Sequence, residues 1–313
     1  MKLTKLIFFI SLIFLSACDS QHHSPPLQIG TTLWPGYEPL YISESLGYFS
    51  KDELRLVVLP SASEVMRSFK NQIINVAALT LDEALLLAES GADIVVIQVA
   101  DISHGADVIL VNSEIESFTQ LSGKKVGLES TALGAYVLSR ALEINQLQLK
   151  DVQVVDLEIG EQEKAFAAGE VDAVVTFEPV KTHLENHGAK VIFDSSQIPG
   201  EVVDVLVVRK EVFDEQKEQL QDLVDGWYKG VDYIEQHPDK AAVIAGRHLG
   251  ISAQEFKEAL SGLIIPTREV NRQMISNGKL QKTVKQLKNV MLDHQLLSGD
   301  AVTITMPMTA DLL

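Results

Sequence analysis

The sequence predicts an α/β fold, with parallel sheets carrying helices on their faces. Three observations point to it. Short apolar runs rich in Val and Ile recur along the chain, among them "LRLVVL" (54–59), "DIVVIQVA" (93–100) and "DAVVTF" (172–177). Each is followed by a polar corner and then by an amphipathic run of helical period. The chain has 313 residues, 46% of them apolar, which is more than one core usually fills, so two domains are expected.

The elements follow in order. Strands at 27–33, 54–59, 75–79 and 93–100 alternate with helices at 36–46, 62–70 and 82–90. The first corner is made by Pro35-Gly36. After the apolar run 106–111 the pattern resumes, with strands at 124–129, 152–157, 172–177 and 189–193 and helices at 132–145, 162–168 and 180–187. Another apolar run, "VVDVLVV", covers 202–208. From Glu211 the chain reads as helix nearly to its end, punctuated by His237-Pro238 and Gly250. Two segments echo each other: "SFKNQIINVAAL" and "AFAAGEVDAVVT" each run from a Phe to an apolar strand, with Asn75 and Asp172 six residues after Phe69 and Phe166. The echo fits two lobes of similar build.

Ahead of this pattern, Lys2 and Lys5 precede ten apolar residues, "LIFFISLIFL", which read as a secretory leader too short to span a bilayer. "LSAC" (15–18) resembles the lipobox of bacterial lipoproteins, which implies a leader at 1–17, lipidation of Cys18 and a short tether at 18–26. Asp19 resembles the signal that retains Gram-negative lipoproteins at the inner membrane, so the expected location is its periplasmic face. Cys18 is the only cysteine, which excludes an internal disulfide and a cysteine metal site.

The chain carries 26 basic and 43 acidic residues, a formal charge of −17. Loss of the leader would leave 24 against 43, or −19. Nucleic-acid binding needs basic patches, so it is not expected. There is no Walker A loop, no GxGxxG after a strand and no GxSxG elbow. "HLENH" (183–187) has the spacing of a metal pair but lacks a third ligand nearby, so no metal is expected.

"WPGYEPLYISESLGYF", "LSGKKVGLE", "FAAGEVDAVVTFEP", "GAKVIFDSS" and "VVDVLVVR" occur in that order along nearly the whole chain after the tether. In this the chain resembles the periplasmic solute-binding proteins of ABC importers for nitrate, sulfonates, taurine and thiamine-pyrimidine precursors. It departs from the family's first-lobe "NG…D" segment, where it has Gln72 and Asn75. The resemblance implies a two-lobe, type II binding-protein fold with two crossing strands, near 106–111 and 202–208, and a helical C-terminal tail that returns to lobe one. It divides the chain into lobe one at 27–105 and 205–313 and lobe two at 106–204. It further implies a monomer without a cofactor that binds a small-molecule solute. The ABC permease and ATPase subunits would be separate chains. A related fungal-type synthase makes the thiamine pyrimidine, but it carries a cysteine-rich motif that this chain lacks, so an enzyme is not expected.

Ligands of open α/β sheets lie at the carboxyl ends of the strands, which selects the candidate site. Trp34 and Tyr37 stand at the first corner, where an indole and a phenol could cover a flat or cationic group, or Trp34 could simply pack. Glu38 follows them. Thr80, Asp82 and Glu83 end the third strand, where they could also cap a helix. Asp101, Ser103 and His104 begin a crossing, where His104 could equally be a hinge or surface residue. Glu129, Ser130 and Thr131 lead into a helix. Thr176 and Glu178 precede Pro179, and Glu178 could serve only the helix dipole. Asp204 lies within the apolar run of the second crossing and needs a partner.

Seven carboxylates (Glu38, Asp82, Glu83, Asp101, Glu129, Glu178 and Asp204) fall at these places, and no Lys or Arg does. A desolvated anion would have to tolerate them. The expected ligand therefore bears an amine, an amidine or an aminopyrimidine. The alternatives are a sulfonate, taurine or nitrate ligand, or a lipoprotein that presents its closed form to a membrane signalling protein.

Overall fold

The computed structural model describes residues 25–131, 133–299 and 303–313. The expected leader, Cys18 and most of the tether lie outside the described residues. Among those described, the strands are β1 (Leu27–Thr31), β2 (Leu54–Val58), β3 (Val76–Thr80), β4 (Ile94–Ser103), β5 (Val108–Val111), β6 (Lys125–Leu128), β7 (Gln153–Asp156), β8 (Ala173–Thr176), β9 (Lys190–Asp194), β10 (Val203–Arg209) and β11 (Leu263–Ile264). They form two sheets, one per lobe, ordered β2-β1-β3-β10-β4-β11 and β7-β6-β8-β5-β9.

The sheets are mixed, not wholly parallel as the sequence suggested. In lobe one β10 runs antiparallel to β3 and β4, and in lobe two β5 runs antiparallel to β8 and β9. The cause is topological. The parallel strands of each lobe point their carboxyl ends at the other lobe. A chain that leaves one lobe at that end enters the next at the same end, so its first strand must run the opposite way. The passages lie at 104–107 and 195–202, beside the runs at which the sequence placed the crossings.

Why these residues make these strands is clearest in β5. Val108 and Leu110 enter a small core with Val174 and Leu184, while Ile109 and Val111 face the large core on the other side of the sheet. A strand buried on both faces reads as an unbroken apolar run. The helix Ala62–Lys70 begins where the Ser61 hydroxyl accepts the N–H of Glu64. The helix Glu38–Leu46 ends at Gly47, whose φ of +71° suits a residue without Cβ.

The sequence echo has a structural counterpart. β3 and β8 hold the same place in their sheets. Asn75 Oδ1 accepts the N–H of Gln28 at 2.8 Å in β1, and Asp172 Oδ2 accepts the N–H of Lys125 at 2.9 Å in β6. Asn75 thus does for its lobe what Asp172 does for the other, whereas Gln72, which matches Gly169, has to take a left-handed φ of +60° that glycine adopts more easily.

The helical tail returns to lobe one, and it contains one strand that the sequence did not reveal. β11 pairs with Ile102 and Ser103 at the end of β4. Helix Lys217–Gln236 lies against helix Glu38–Leu46 so closely that a Cβ on Gly230 would sit 2.2 Å from the carbonyl oxygen of Pro39. Asn271, fully buried in helix Arg268–Ser276, accepts the N–H of Val99 at 3.0 Å and donates to the Val99 carbonyl at 2.6 Å. It replaces a missing strand partner beside the register shift between β4 and β10. No helix among the described residues is long and apolar enough to cross a membrane.

Candidate functional site

The carboxyl ends of β1, β3, β6 and β8 and the starts of β5 and β10 meet between the lobes. They line a cavity of about 40 Å³. Lobe one lines it with Trp34, Tyr37, Thr80, Glu83 and Asp204, and lobe two with Asp107, Glu129, Gln162, Thr176 and Phe177.

The aromatics are fixed by carboxylates behind them. Trp34 Nε1 donates to Asp101 Oδ2 at 3.0 Å, and the Tyr37 hydroxyl donates to Asp204 Oδ1. Gly36 is needed for the first contact, since a Cβ there would lie 1.8 Å from Asp101 Oδ2. Across the cleft the indole meets Phe177 edge to face, with ring centroids 5.5 Å apart.

Two more carboxylates join the lobes. Glu83 Oε2 accepts the N–H of Thr80 at 3.0 Å, while its Oε1 accepts the N–H of Leu133 at 3.2 Å in the other lobe. Glu129 Oε1 accepts the N–H of Ser63 at 2.7 Å. Helices Leu133–Ile144 and Ala62–Lys70 are therefore each capped by a carboxylate from the opposite lobe. The Ser63 and Thr131 hydroxyls, 2.7 Å apart, add a third bond across the gap.

Burial dominates the electrostatics. It pushes the Asp107 carboxyl up to about 7, Asp82 being a further upward influence, while the Ser103 hydrogen bond and the charge of Lys181 oppose it. Asp204 and Asp101 are raised by burial first and then by neighbouring carboxylates. Burial and the Asp82 charge raise Glu83. Burial, followed by Asp204, holds the Tyr37 phenol well above its usual range. A closed, empty cleft would hold protons at neutral pH.

The polar atoms left over are informative. Asp107 Oδ2, Gln162 Oε1 and Thr176 Oγ1 line the cavity, are buried, and have no hydrogen-bond partner, while the Thr80 hydroxyl is within reach of the Asp82 carboxylate. Two of the three, on Asp107 and Gln162, only accept; the Thr176 hydroxyl accepts and donates. Asp101 Oδ1, behind Trp34, is also unpaired.

Of the residues selected from the sequence, Trp34, Tyr37, Thr80, Glu83, Glu129, Thr176 and Asp204 come together at this cavity. Asp101 stands one layer behind. Asp82, Ser130 and Thr131 line a separate groove between the lobes. Ser130 there donates its N–H to Asp156 at 2.9 Å. Glu38 is fully buried against helix Pro238–Leu249, with His248 Nδ1 2.6 Å from its Oε1, and does not reach the cavity. Glu178 accepts the N–H of Thr182 at 3.1 Å and lies 3.7 Å from Lys181, so it serves its own helix. His104 is exposed, tied down only through its N–H to the Gly262 carbonyl at 2.8 Å.

The expectation that no cation lies near these carboxylates is corrected by Lys181, which is close enough to influence Asp107. Asp107, Gln162 and Phe177 were missed. Asp107 offered a signal, a charged residue inside a crossing at the start of an apolar run. Gln162 offered none, because the sequence began its helix three residues late.

A family model described as NMT1/THI5 like matches residues 34–241. A protein of Brucella abortus (strain 2308), provisionally named a binding protein, is 26% identical over 193 residues, and the match covers 60% of each chain. The chain thus spans about 60% of the length of that curated relative. Among solved structures, the alkanesulfonate-binding protein SsuA from Xanthomonas axonopodis pv. citri, bound to MOPS, superimposes with a TM-score of 0.74 at 16% identity, covering 87% of this chain and 94% of that one. The nitrate-binding protein NrtA from Synechocystis PCC 6803 gives 0.73 at 10% identity, covering 92% and 86%. At these identities the likeness is one of fold.

Proposed function

The chain belongs to the NMT1/THI5-like family, and we propose that it is the solute-binding component of an ABC importer, working as a lipid-anchored protein on the periplasmic face of the inner membrane. It captures a small solute between its lobes and delivers it, without chemical change, to a permease carried on separate chains. The solute bears N–H donors or a positive charge, as an amine, an amidine or an aminopyrimidine does, and the cationic form is the one favoured here. Ligand that touches both lobes favours the closed form, which the permease reads.

The observation that carries the ligand class is the balance of donors and acceptors. Of the three unpaired buried atoms that line the cavity, the carboxylate oxygen of Asp107 and the amide oxygen of Gln162 only accept, and the Thr176 hydroxyl both accepts and donates. Buried acceptors left without donors cost free energy, so the natural occupant supplies donors. A sulfonate or nitrate would look to helix N-termini. Those at Ala62 and Leu133 adjoin the cavity, but Glu129 and Glu83 already cap them.

The test is a thermal-shift screen followed by calorimetry on the purified protein with benzamidine, 4-aminopyrimidine, spermidine, taurine, ethanesulfonate and nitrate. Saturation at about 100 times the dissociation constant stabilises by roughly 2.7 kcal/mol, a shift of degrees. Binding among the cations supports the reading. Tight binding of a sulfonate with none of any cation would sink it.

A further inference from the structure

We propose that Asp107 is the counter-ion of the bound solute's cationic group, with Gln162 and Thr176 as its neutral hydrogen-bonding companions, so that lobe two reads the charge while lobe one supplies the aromatic cover. This rests on the reading of the protein as a binder of cationic solutes and names the residues that would discriminate.

The inference comes from accounting for each carboxylate. Asp204 is engaged by the Tyr37 hydroxyl and Asp101 by the Trp34 indole N–H. Glu83 accepts two backbone N–H groups and Glu129 accepts one. Glu178 is held by Thr182 and Lys181, and Asp82 faces the other groove. Among the described carboxylates that line the cavity, only Asp107 carries an oxygen that is both fully buried and unpaired; the residue is 3% exposed.

Its companions converge from different elements. Val108 is in register with Thr176 across β5 and β8, which places Asp107 beside Thr176 and Phe177. Gln162 approaches from helix Ile159–Ala167, 1% exposed, with its amide nitrogen turned to the Leu157 carbonyl at 3.5 Å and its oxygen left free. Thr176 is 2% exposed, and its hydroxyl is unpaired. Two acceptor oxygens and one hydroxyl on one wall, faced by Trp34 and Tyr37, fit a planar cation with at least two N–H donors, such as an amidinium, a guanidinium or a protonated aminopyrimidine.

The test compares wild type, D107N and D204N by calorimetry with benzamidine and with benzamide, its neutral counterpart. Asn keeps the volume of Asp and removes the charge. Wild type is expected to prefer benzamidine. D107N is expected to weaken benzamidine roughly 30-fold or more, the usual penalty for removing one partner of a buried charge pair, while benzamide is little changed. D204N, whose partner is a tyrosine, is expected to lose affinity for both probes alike. Q162M tests the same wall should D107N not fold, with benzamidine expected to weaken about tenfold. Unchanged discrimination in D107N, or in Q162M if only that variant folds, overturns this inference alone and leaves cation binding intact. Failure of wild type to bind any cation overturns both.

Discussion

Across the cleft the Glu129 carboxylate accepts the backbone N–H of Ser63 at 2.7 Å, and Glu83 returns the contact by accepting that of Leu133 at 3.2 Å. Each lobe caps a helix of the other. These bonds exist only when the lobes meet, so they belong to the closed state and help define its geometry. On opening, water can replace the lost acceptor at Ser63. Glu129→Ala should therefore weaken closure by about 1.5–3 kcal/mol, the range for hydrogen bonds to charged groups. The expected readouts are a ligand affinity at least tenfold lower and a larger radius of gyration in small-angle scattering with ligand present. An unchanged radius and affinity would mean that ligand contacts alone drive closure.

The raised carboxyls set a pH dependence with a definite sign. The folded, closed protein binds protons at Asp107 up to about pH 7, whereas an unfolded chain releases them near pH 4. Between those values the folded state holds more protons, so the stability of the empty protein falls as pH rises through that window. A cationic ligand reverses the trend, because it binds the ionised carboxylate and displaces the proton. Melting curves at pH 5, 6, 7 and 8 should show the empty protein losing stability while the increment from benzamidine grows. A ligand increment that is flat or shrinks toward pH 8 would contradict this.

Gly230→Ala should be costly although alanine favours helices. The new Cβ would lie 2.2 Å from the Pro39 carbonyl oxygen, a backbone atom with no rotamer to yield. Helix Lys217–Gln236 would have to move off helix Glu38–Leu46. Overpacking of this kind costs about 1–3 kcal/mol, visible as a lower urea midpoint. Gly160→Ala is the control, since nothing stands near its Cβ, and it should change little.

Asn271→Leu should be among the most damaging single changes in the tail. It preserves approximate size but leaves the Val99 N–H and carbonyl without their partners inside the protein. An unsatisfied buried group costs about 1–3 kcal/mol, and two are exposed here to that penalty. Chemical denaturation would measure the loss. A variant within about 0.5 kcal/mol of wild type would show that this side chain is not the strand surrogate described above.

Much of the fold is legible in the chain because its signals are local. An apolar run such as "VILV" is buried on both faces whatever surrounds it, and the helix Ala62–Lys70 announces itself through Ser61 and its period. β11 was not legible, because two residues carry no periodicity and pair only when the edge of β4 is already in place. The site was half legible. Trp34 and Tyr37 stand out as large aromatics at a corner where only Gly36 is structurally required. Glu38, next in sequence, faces His248 instead, since a residue at the start of a helix points where the helix turns it.

The sequence by itself determined the order of strands and helices, the two-lobe class and the acidic, aromatic character of the strand ends. Only the tertiary structure decided which carboxylates are spoken for. Glu129 finds its partner 66 residues away, Glu83 finds its partner 50 residues away and Asp204 finds its tyrosine at a separation of 167. Hydrogen bonding is short-ranged, and no local pattern reports which distant N–H or hydroxyl will arrive within 3 Å of a given oxygen. Asp107 keeps one buried oxygen without a protein partner in that distribution, and the role proposed for it rests on what the other carboxylates are already holding.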